Sequence, residues 1–466
     1  MPLIRQIYGE ISAQVLNGEM KAGERLPSTR ETAAELGVSR NVVMEAYDQL
    51  AAEGFLIGIS GAGTFVAEGS RLDVPRHAAD SASDAEACPA RVRGRSDAAD
   101  ARESSGAVDF RLGRPAIDLA PYRTWARLEH EERVGTAPAA LAGAPVEGRA
   151  ELREALRDYL WRRRGVECGP DRIVITSGAV NGLSTLSRAA LAPGSEVLFE
   201  DPGHVPARES LSQGGARIVS APVDEEGIIV ERLAGVGGPT LAFITPSHQF
   251  PIGGCLSIQR RVELVEWARK AGCLIVEDDY ESEFRYDVGP VSSIQRLDPE
   301  NVVYVGTFSK VLFPAIRLGY LVLPDRLVDA CLEVRRATDR YCAPAPQLAM
   351  ARFIREGRLD RHIARMRRIY RERRDALASA LEAAFPGRAT ILGRATGLHV
   401  TVAFDGLEFD AGLVEAIRRA GVIVRPVEDF ALEKGRWRGC LALGYSHLRV
   451  EDIERGVACL RKAVRT

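Results

Sequence analysis

Residues 304–322 read YVGTFSKVLFPAIRLGYLV, a stretch in which a short turn separates two apolar segments. An apolar segment typical of a buried strand ends near Gly306, and a turn containing Ser309 and Lys310 follows it. A second apolar segment, LGYLVL, begins at Leu318. The lysine therefore stands just beyond the end of a predicted strand.

Similar apolar segments recur through the C-terminal part of the chain. They lie at 172–176, 196–200, 216–221, 240–244, 273–277, 301–305 and 318–323. Helical patterns such as IQRRVELVEWARKAG separate several of them, which predicts an α/β fold with a mostly parallel sheet covered on both faces. From about residue 335 the pattern is helical and then mixed, which predicts a smaller C-terminal α+β portion. In such sheets ligands bind beyond the carboxyl ends of the strands.

Composition divides the 466 residues into three zones. Residues 1–67 have regular apolar spacing, and 107–466 are globular to the end. Between them, residues 68–106 hold only three large apolar side chains, so we predict a flexible linker there. The net charge of −2 does not indicate binding to nucleic acid or to a membrane surface.

The remaining composition favours a cytoplasmic protein. The eight cysteines are scattered without C-x-x-C pairs, which is typical of reduced, mostly buried thiols. The N-terminus lacks the apolar core of a signal peptide, and no run of 18 apolar residues predicts a membrane span. The spacing of His130, His362, His399 and His447 does not predict a metal site.

Lysine is scarce, because only five of the 62 basic residues are lysines. Four of them lie in polar contexts that predict solvated surface positions: Lys21, Lys270, Lys434 and Lys462. Lys310 alone follows an apolar strand, where it could make an ordinary phosphate contact or supply a reactive amine. Any chemistry that needs a lysine amine therefore points to Lys310.

The first zone has the pattern of a winged helix-turn-helix. Ser28 and Glu31 have the spacing of a capping box, which predicts the start of a helix. Ser39 can cap a second helix, whose apolar stripe runs from Val42 to Leu50. An upstream helix at residues 3–16 and two short strands around a glycine-rich turn at 60–63 complete the pattern.

The stretch LPSTRETAAELGVSRNVVMEAYDQLAAEGFL…GAGTFV is similar to the DNA-binding domain of the GntR family of bacterial regulators. The resemblance implies that Arg30 contacts phosphate and that Gly63 and Thr64 lie at the wing tip. Ser39, Arg40 and Asn41 would open a recognition helix that faces the major groove. The zone has a net charge of −3, which leaves a helical protein-interaction module as the alternative and makes a dimer necessary for useful DNA affinity.

The segment around Lys310 resembles the cofactor-binding segment of fold-type I, aspartate-aminotransferase-like proteins that use pyridoxal 5′-phosphate (PLP). There the lysine forms a Schiff base with the cofactor aldehyde. By the same resemblance Arg317 holds the phosphate. In LIVEDDYESEFRY, Asp278 pairs with the pyridine nitrogen and Tyr280 with the ring oxygen. Taken alone, the acidic segment could equally be an ordinary strand-end loop.

Three further segments complete the implied cofactor pocket. Ser177, Gly178 and Ala179 lie at a predicted helix start, where free N–H groups favour a phosphate. The resemblance puts His204 on the pyridine face, in place of the family's usual tyrosine. His248 lies near the ring oxygen or is a structural loop histidine, and Ser309 stands beside the lysine.

Together the two halves resemble the MocR/GabR family of PLP-dependent transcriptional regulators. The resemblance implies a homodimer that binds repeated DNA half-sites and senses an amine or amino-acid-like effector through an external aldimine at Lys310. The alternatives are an active aminotransferase with an appended DNA-binding domain, and a plain GntR regulator with an inert sensor. Val180 and Asn181 replace the family's usual glutamine. Ala442 stands where aminotransferases place the arginine that holds a substrate carboxylate, for which Arg425 or another arginine could substitute.

Overall fold

The computed structural model describes residues 3–16, 19–52, 55–59, 63–67, 106–136, 143–233, 235–287 and 292–464. The chain divides into two compact units, Met1–Gly94 and Arg95–Thr466. All but one residue of the predicted linker, 68–106, lie outside the described residues, so its flexibility and both boundaries stay predictions. No helix in the described ranges is long and apolar enough to cross a membrane.

The described residues of the N-terminal unit form three helices and a two-stranded hairpin, as the sequence predicts. They are α1 (Leu3–Leu16), α2 (Thr29–Glu35), α3 (Arg40–Ala52), β1 (Leu56–Ile59) and β2 (Gly63–Val66). The predicted capping box is present, because Ser28 Oγ accepts from the Glu31 N–H and the Glu31 carboxylate accepts from the Ser28 N–H. The Tyr47 hydroxyl joins α3 to the α2 region through Thr32 and the Pro27 carbonyl.

The larger unit is built on an eight-stranded sheet. Its strands are β4 (Ile173–Thr176), β5 (Glu196–Asp201), β6 (Arg217–Asp224), β7 (Gly227–Ile228), β8 (Leu241–Ile244), β9 (Leu274–Asp279), β10 (Val302–Thr307) and β11 (Gly319–Val322). Their order is β4-β11-β10-β9-β8-β5-β6-β7. The five strands from β10 to β6 run parallel, which confirms the mostly parallel sheet.

Strand β11 departs from that pattern, because it pairs antiparallel with both β10 and β4. The connection between Thr307 and Gly319 explains this, since it is too short for the crossover that a parallel neighbour requires. The turn inside this connection holds Lys310 at the carboxyl end of β10.

Helices cover both faces of the sheet, as predicted. The helices of this unit are α4 (Tyr122–Gly135), α5 (Ala150–Arg164), α6 (Ala179–Ala190), α7 (Val205–Ser212), α8 (Ile258–Ala271), α9 (Asp325–Ala337), α10 (Pro344–Arg355), α11 (Arg358–Ala384), α12 (Ala411–Arg419) and α13 (Val450–Val464). In β5, Val197 and Phe199 pack with α6, α7 and α9, whereas Leu198 packs with α8 on the opposite face. Alternate residues of one strand therefore serve two apolar cores.

The predicted α+β portion at the C-terminus contains a four-stranded antiparallel sheet. Its order is β12-β13-β16-β15, from β12 (Ala389–Leu392), β13 (His399–Phe404), β15 (Arg425–Pro426) and β16 (Cys440–Gly444). A two-stranded parallel sheet joins β3 (Val108–Asp109) to β14 (Val422–Ile423). The start of the larger unit is thus attached to its C-terminal portion.

Candidate functional site

The residues expected to contact DNA lie on the surface of the N-terminal unit. Arg30, Ser39, Arg40 and Asn41 are all exposed, and Arg40 is the first residue of α3. Arg40 Nε donates to the Thr29 hydroxyl at 3.2 Å, which connects the starts of α2 and α3. This arrangement presents the N-terminus of the predicted recognition helix to solvent.

The wing presents Gly63 and Thr64, and it adds a residue that the sequence did not indicate. Gly63 is exposed and has a φ of +122°, which favours glycine. A Cβ on Gly63 would lie 3.0 Å from Arg25 Nε, because residues 23–26 hydrogen-bond to β2. The Arg25 guanidinium therefore lies at the wing, which only the backbone pairing reveals.

Lys310 lies in a partly buried position at the carboxyl edge of the large sheet. Its Nζ donates to the Gly113 carbonyl oxygen at 2.7 Å. Burial lowers the pKa of Lys310, and the negative charges of Glu281 and Asp278 oppose that shift. A lysine with a lowered pKa more readily supplies the neutral amine that a carbonyl carbon requires.

Asp278 lies on β9 next to the strand that leads to Lys310. It is buried, and its Oδ1 has no hydrogen-bond partner among the residues described. Burial raises the pKa of Asp278 to about 7, with a further contribution from Asp279. Asp279, by contrast, is 2.6 Å from Arg164 Nε and accepts a hydrogen bond from Ser282. Both carboxylates have an Oδ1 without a hydrogen-bond partner among the described residues, but the charge of Asp279 is neutralised by Arg164, whereas no ion pair with Asp278 is found there.

A possible phosphate cradle forms where β4 meets α6. Gly178 is the N-cap residue of α6 and has a φ of +100°. Arg317 donates to the Ser177 carbonyl at 2.5 Å, and a Cβ on Gly178 would lie 3.3 Å from both of its terminal nitrogens. Arg317 itself has a left-handed backbone, with φ at 49°, a strained conformation that proteins concentrate at functional sites.

The N–H groups of this cradle are only partly free. The Ser177 N–H donates to Asn181 Oδ1 at 3.0 Å, so it is already satisfied. The backbone of Gly178 and Ala179 therefore carries the binding capacity that a helix N-terminus offers an anion. The Ser309 hydroxyl, which the sequence also places in the pocket, contacts the Thr307 hydroxyl at 3.1 Å.

His204 and Tyr280 are the two ring residues that the sequence places in the pocket. His204 Nδ1 is buried with no partner in the part of the chain that the structure describes. Burial lowers the pKa of His204 to about 4, and the charges of Lys310 and Arg425 add to the effect. The ring is therefore neutral at physiological pH. The Tyr280 hydroxyl donates to the His248 carbonyl at 2.9 Å.

His248 belongs to a buried cluster with Glu281 and His399. Its Nδ1 is 2.6 Å from the Thr396 hydroxyl, and its Nε2 is 3.2 Å from Glu281 Oε1. Burial lowers the pKa of His248 to about 3. These contacts fit the structural alternative for His248 better than a contact with the cofactor ring.

His399 also differs from the ordinary residue that its spacing suggested. Its Nδ1 lies 3.4 Å from Glu281 Oε1. One ligand atom from each of His248, Glu281 and His399 lies within 4.8 Å of the others, the geometry of a possible metal site. Sequence spacing could not indicate this cluster because its members are distant in the chain.

The pocket has the features that PLP requires. A buried carboxylate with an unsatisfied oxygen suits a pyridinium N–H, and Gly178 with Arg317 suits a phosphate dianion. Lys310 supplies the primary amine, and its charge acts to lower the pKa of both Asp278 and His204. The residues that sequence reasoning missed here are Gly113 and Glu281.

Known protein families match both halves of the chain. Residues 3–66 match the family model described as bacterial regulatory proteins, gntR family, and 116–457 match aminotransferase class I and II. A probable rhizopine catabolism regulatory protein, MocR, from Rhizobium meliloti is 35% identical over 99% of this chain and 94% of its own length. The pyridoxine biosynthesis regulator PdxR from Corynebacterium glutamicum is 32% identical over 81% of this chain and 78% of its own.

Several solved aminotransferase structures resemble most of the chain. Pyrococcus horikoshii kynurenine aminotransferase, solved with pyridoxamine phosphate and its substrates and products, has a TM-score of 0.74 and 26% identity. The match covers 80% of this chain and 95% of that one. The cofactor of the larger unit is pyridoxal 5′-phosphate. The chain belongs to the MocR/GabR family of PLP-dependent regulators, in which a GntR-type DNA-binding domain is joined to an aminotransferase-like domain.

Proposed function

We propose that this protein is a transcriptional regulator that senses an amine or amino-acid-like effector at Lys310 and changes its DNA binding in response. In this proposal residues 1–67 contact DNA, 68–106 form a flexible linker and 107–466 bind PLP and the effector. The observation that carries it is the unsatisfied Asp278 oxygen beside Lys310, whose charge acts on the pKa of Asp278, in a chain that also has an exposed helix start at Arg40.

Each residue of the pocket has a distinct role in this proposal. Bound PLP supplies an aldehyde carbon that combines with primary amines. Asp278 holds a proton at the ring nitrogen, while Gly178, Ala179 and Arg317 bind the phosphate together with the hydroxyls of Ser177 and Ser309. His204 lies on the ring face, and Tyr280 donates to the ring oxygen. His248 acts indirectly, through its carbonyl contact with Tyr280.

The effector signal begins when an incoming amine takes the place of Lys310. The released Lys310 amine would then be free to donate to the Gly113 carbonyl, as it does in this structure. Gly113 follows β3, the first strand after the proposed linker, so a change at Lys310 reaches the start of the larger unit. The effector shifts the protein toward the state for which it has the higher affinity. A homodimer supplies two winged helices for repeated half-sites.

The test combines a visible spectrum with DNA binding. The purified protein should show the visible absorption of a lysine–PLP Schiff base, and Lys310→Ala should abolish it. Lys270→Ala serves as the control, because Lys270 lies at the solvent-exposed end of α8. A gel shift with DNA from upstream of the protein's own gene should respond to an amine only when Lys310 is present. Retention of the Schiff-base band by Lys310→Ala would contradict the proposal.

An active aminotransferase is the second candidate, because the site keeps both Lys310 and Asp278. In that case the purified protein would convert an amine and a keto acid with repeated turnover. A transaminase assay on a panel of amines, run beside the gel shift, separates the two functions. Turnover without any change in DNA binding would favour the enzyme.

A further inference from the structure

The resemblance to aminotransferases implies that Ala442 stands where those enzymes place the arginine that holds a substrate carboxylate. Ala442 lies on β16 and is completely buried in an apolar cluster with Phe250 and Phe430. It offers no charge to an anionic group. If the effector is an amino acid, another residue must bind its carboxylate.

Arg425 lies directly opposite Ala442 on the neighbouring antiparallel strand. The two residues are register partners in the β15–β16 pair, so their side chains project from the same face of the small sheet. On the other side of Ala442 its register partner is Thr401. The Thr401 hydroxyl donates to the Pro251 carbonyl at 2.7 Å. This face of the sheet is therefore turned toward the loop that carries His248 and Pro251.

A row of aromatic rings connects Arg425 with the cofactor pocket. The Arg425 guanidinium carbon lies 4.6 Å from the centroid of the Phe430 ring. Phe430 packs edge-on against Phe250 at 5.2 Å, and Phe250 packs edge-on against His204 at 5.3 Å. The charges of Lys310 and Arg425 both lower the pKa of His204, so the two cations act on the same ring.

The charge of Arg425 is only weakly neutralised. Its ion-pair partner among the described residues is Asp429, with a carboxylate oxygen at 3.8 Å, and both side chains are about half exposed. By contrast, Arg111 and Arg114 are held by Asp109 at 2.7 and 2.5 Å. Of these three arginines, Arg425 can therefore bind an incoming anion with the smallest loss of existing ion-pair contacts.

We propose that Arg425 binds the anionic group of an effector that carries both a primary amine and a carboxylate or similar oxyanion. In this arrangement the binding function has moved from position 442 to the residue beside it on the next strand. A guanidinium can bind a carboxylate or sulfonate through two parallel hydrogen bonds, which fixes orientation as well as charge. The inference rests on the proposed function, because it assumes that the primary amine of the effector replaces Lys310.

The test compares amines that differ only in their anionic group. Propylamine, β-alanine and 2-aminoethanesulfonate share a two-carbon spacing, and glycine, L-alanine and 4-aminobutyrate with their uncharged analogues extend the panel. Each compound is titrated into the PLP-loaded protein, and the change in the visible spectrum gives its affinity. The wild type should prefer the acids, and the carboxylate and sulfonate arms show which oxyanion is accepted.

In Arg425→Ala the affinity for the preferred acid should fall at least about tenfold, while the affinity for its uncharged analogue is unchanged. Arg436→Ala is the matched control, because Arg436 also stacks on an aromatic ring, that of Trp437. Arg208→Ala tests a neighbouring alternative, since Arg208 contacts the Phe430 carbonyl.

Equal losses for acids and uncharged amines in Arg425→Ala would overturn the assignment, as would a loss confined to Arg208→Ala. A wild type that binds acids and amines equally would overturn it while leaving the proposed function intact. A wild type that responds to no amine would overturn the proposed function itself. An unchanged Schiff-base band in every variant verifies that the pocket remains folded.

Discussion

Glu281 Oε1 lies 3.4 Å from Nδ1 of His399, and this buried pair joins the large sheet to the C-terminal portion. Glu281 follows β9, whereas His399 begins β13. Burial raises the pKa of Glu281, but the hydrogen bond from His399 and the nearby His248 outweigh it and hold the pKa below its usual value. The carboxylate is thus charged in the interior, where its energy depends on its partners.

Replacing His399 by phenylalanine should destabilise the protein strongly. The substitution leaves the Glu281 charge buried without one of its partners, which costs about 3–5 kcal/mol. Urea unfolding, followed by circular dichroism, measures the loss. His447→Phe is the control, because His447 makes a neutral hydrogen bond to the Asp109 carbonyl and its loss costs only about 1 kcal/mol. Similar losses in the two variants would show that the Glu281 charge is not the cause.

Glu281→Gln should change the reactivity of Lys310 with pH. The Glu281 charge raises the pKa of Lys310 against the effect of burial, so removing it should lower that pKa further. More of the amine is then neutral at a given pH, and PLP should combine with the apoprotein at a lower pH than in the wild type. Stopped-flow absorbance across pH 6–9 measures the rate. If the rate depends on pH in the same way in Glu281→Gln and in the wild type, the two residues are not electrostatically coupled.

The sequence predicts which strand ends meet but not which side chains face each other. Asp278 lies near the carboxyl end of β9 and Lys310 follows the adjacent parallel strand β10, so their meeting at one edge follows from the fold. The bond between Lys310 and Gly113 joins residues 197 positions apart, and Gly113 reaches the site only because β3 pairs with β14. The pairing of Arg425 with Ala442 depends on sheet register in the same way. Such long-range pairing leaves no local pattern in the sequence.

Alanine substitutions of the two arginines at the predicted DNA surface should weaken DNA binding in different ways. Arg40→Ala removes a side chain expected to read a base, so it should cost about 1–3 kcal/mol and relax specificity at one position. Arg30→Ala removes a phosphate contact, so it should weaken binding to all sequences and reduce the salt slope by about one. Fluorescence anisotropy on operator and scrambled DNA at several salt concentrations distinguishes them.

The control for the DNA surface is Glu45→Ala, because Glu45 is exposed on the same helix as Arg40. Its removal eliminates a negative charge and should strengthen binding slightly or leave it unchanged. Binding that is lost in Glu45→Ala but kept in both arginine variants would favour the alternative of a protein-interaction module.

Asp278→Asn should stabilise the apoprotein while weakening the binding of PLP. The folded-state pKa of Asp278 is raised to about 7, above its ordinary value of 3.8, so its contribution to stability is complete below pH 3.8 and is lost as the pH rises through 7. At pH 8 the buried charge costs up to about 4 kcal/mol, and asparagine avoids this cost. In the loaded protein the same substitution removes the partner of the ring nitrogen.

Thermal melts of the apoprotein at pH 5 and pH 8 should therefore differ less in the variant than in the wild type, and PLP titration should show a weaker affinity. Asp298→Asn is the control, since Asp298 already has Arg269 as its partner at 2.7 Å, and it should leave PLP affinity unchanged. A variant that melts lower than the wild type at pH 8 would mean that Asp278 has a partner in the apoprotein, and the assignment of its free oxygen to PLP would then be wrong.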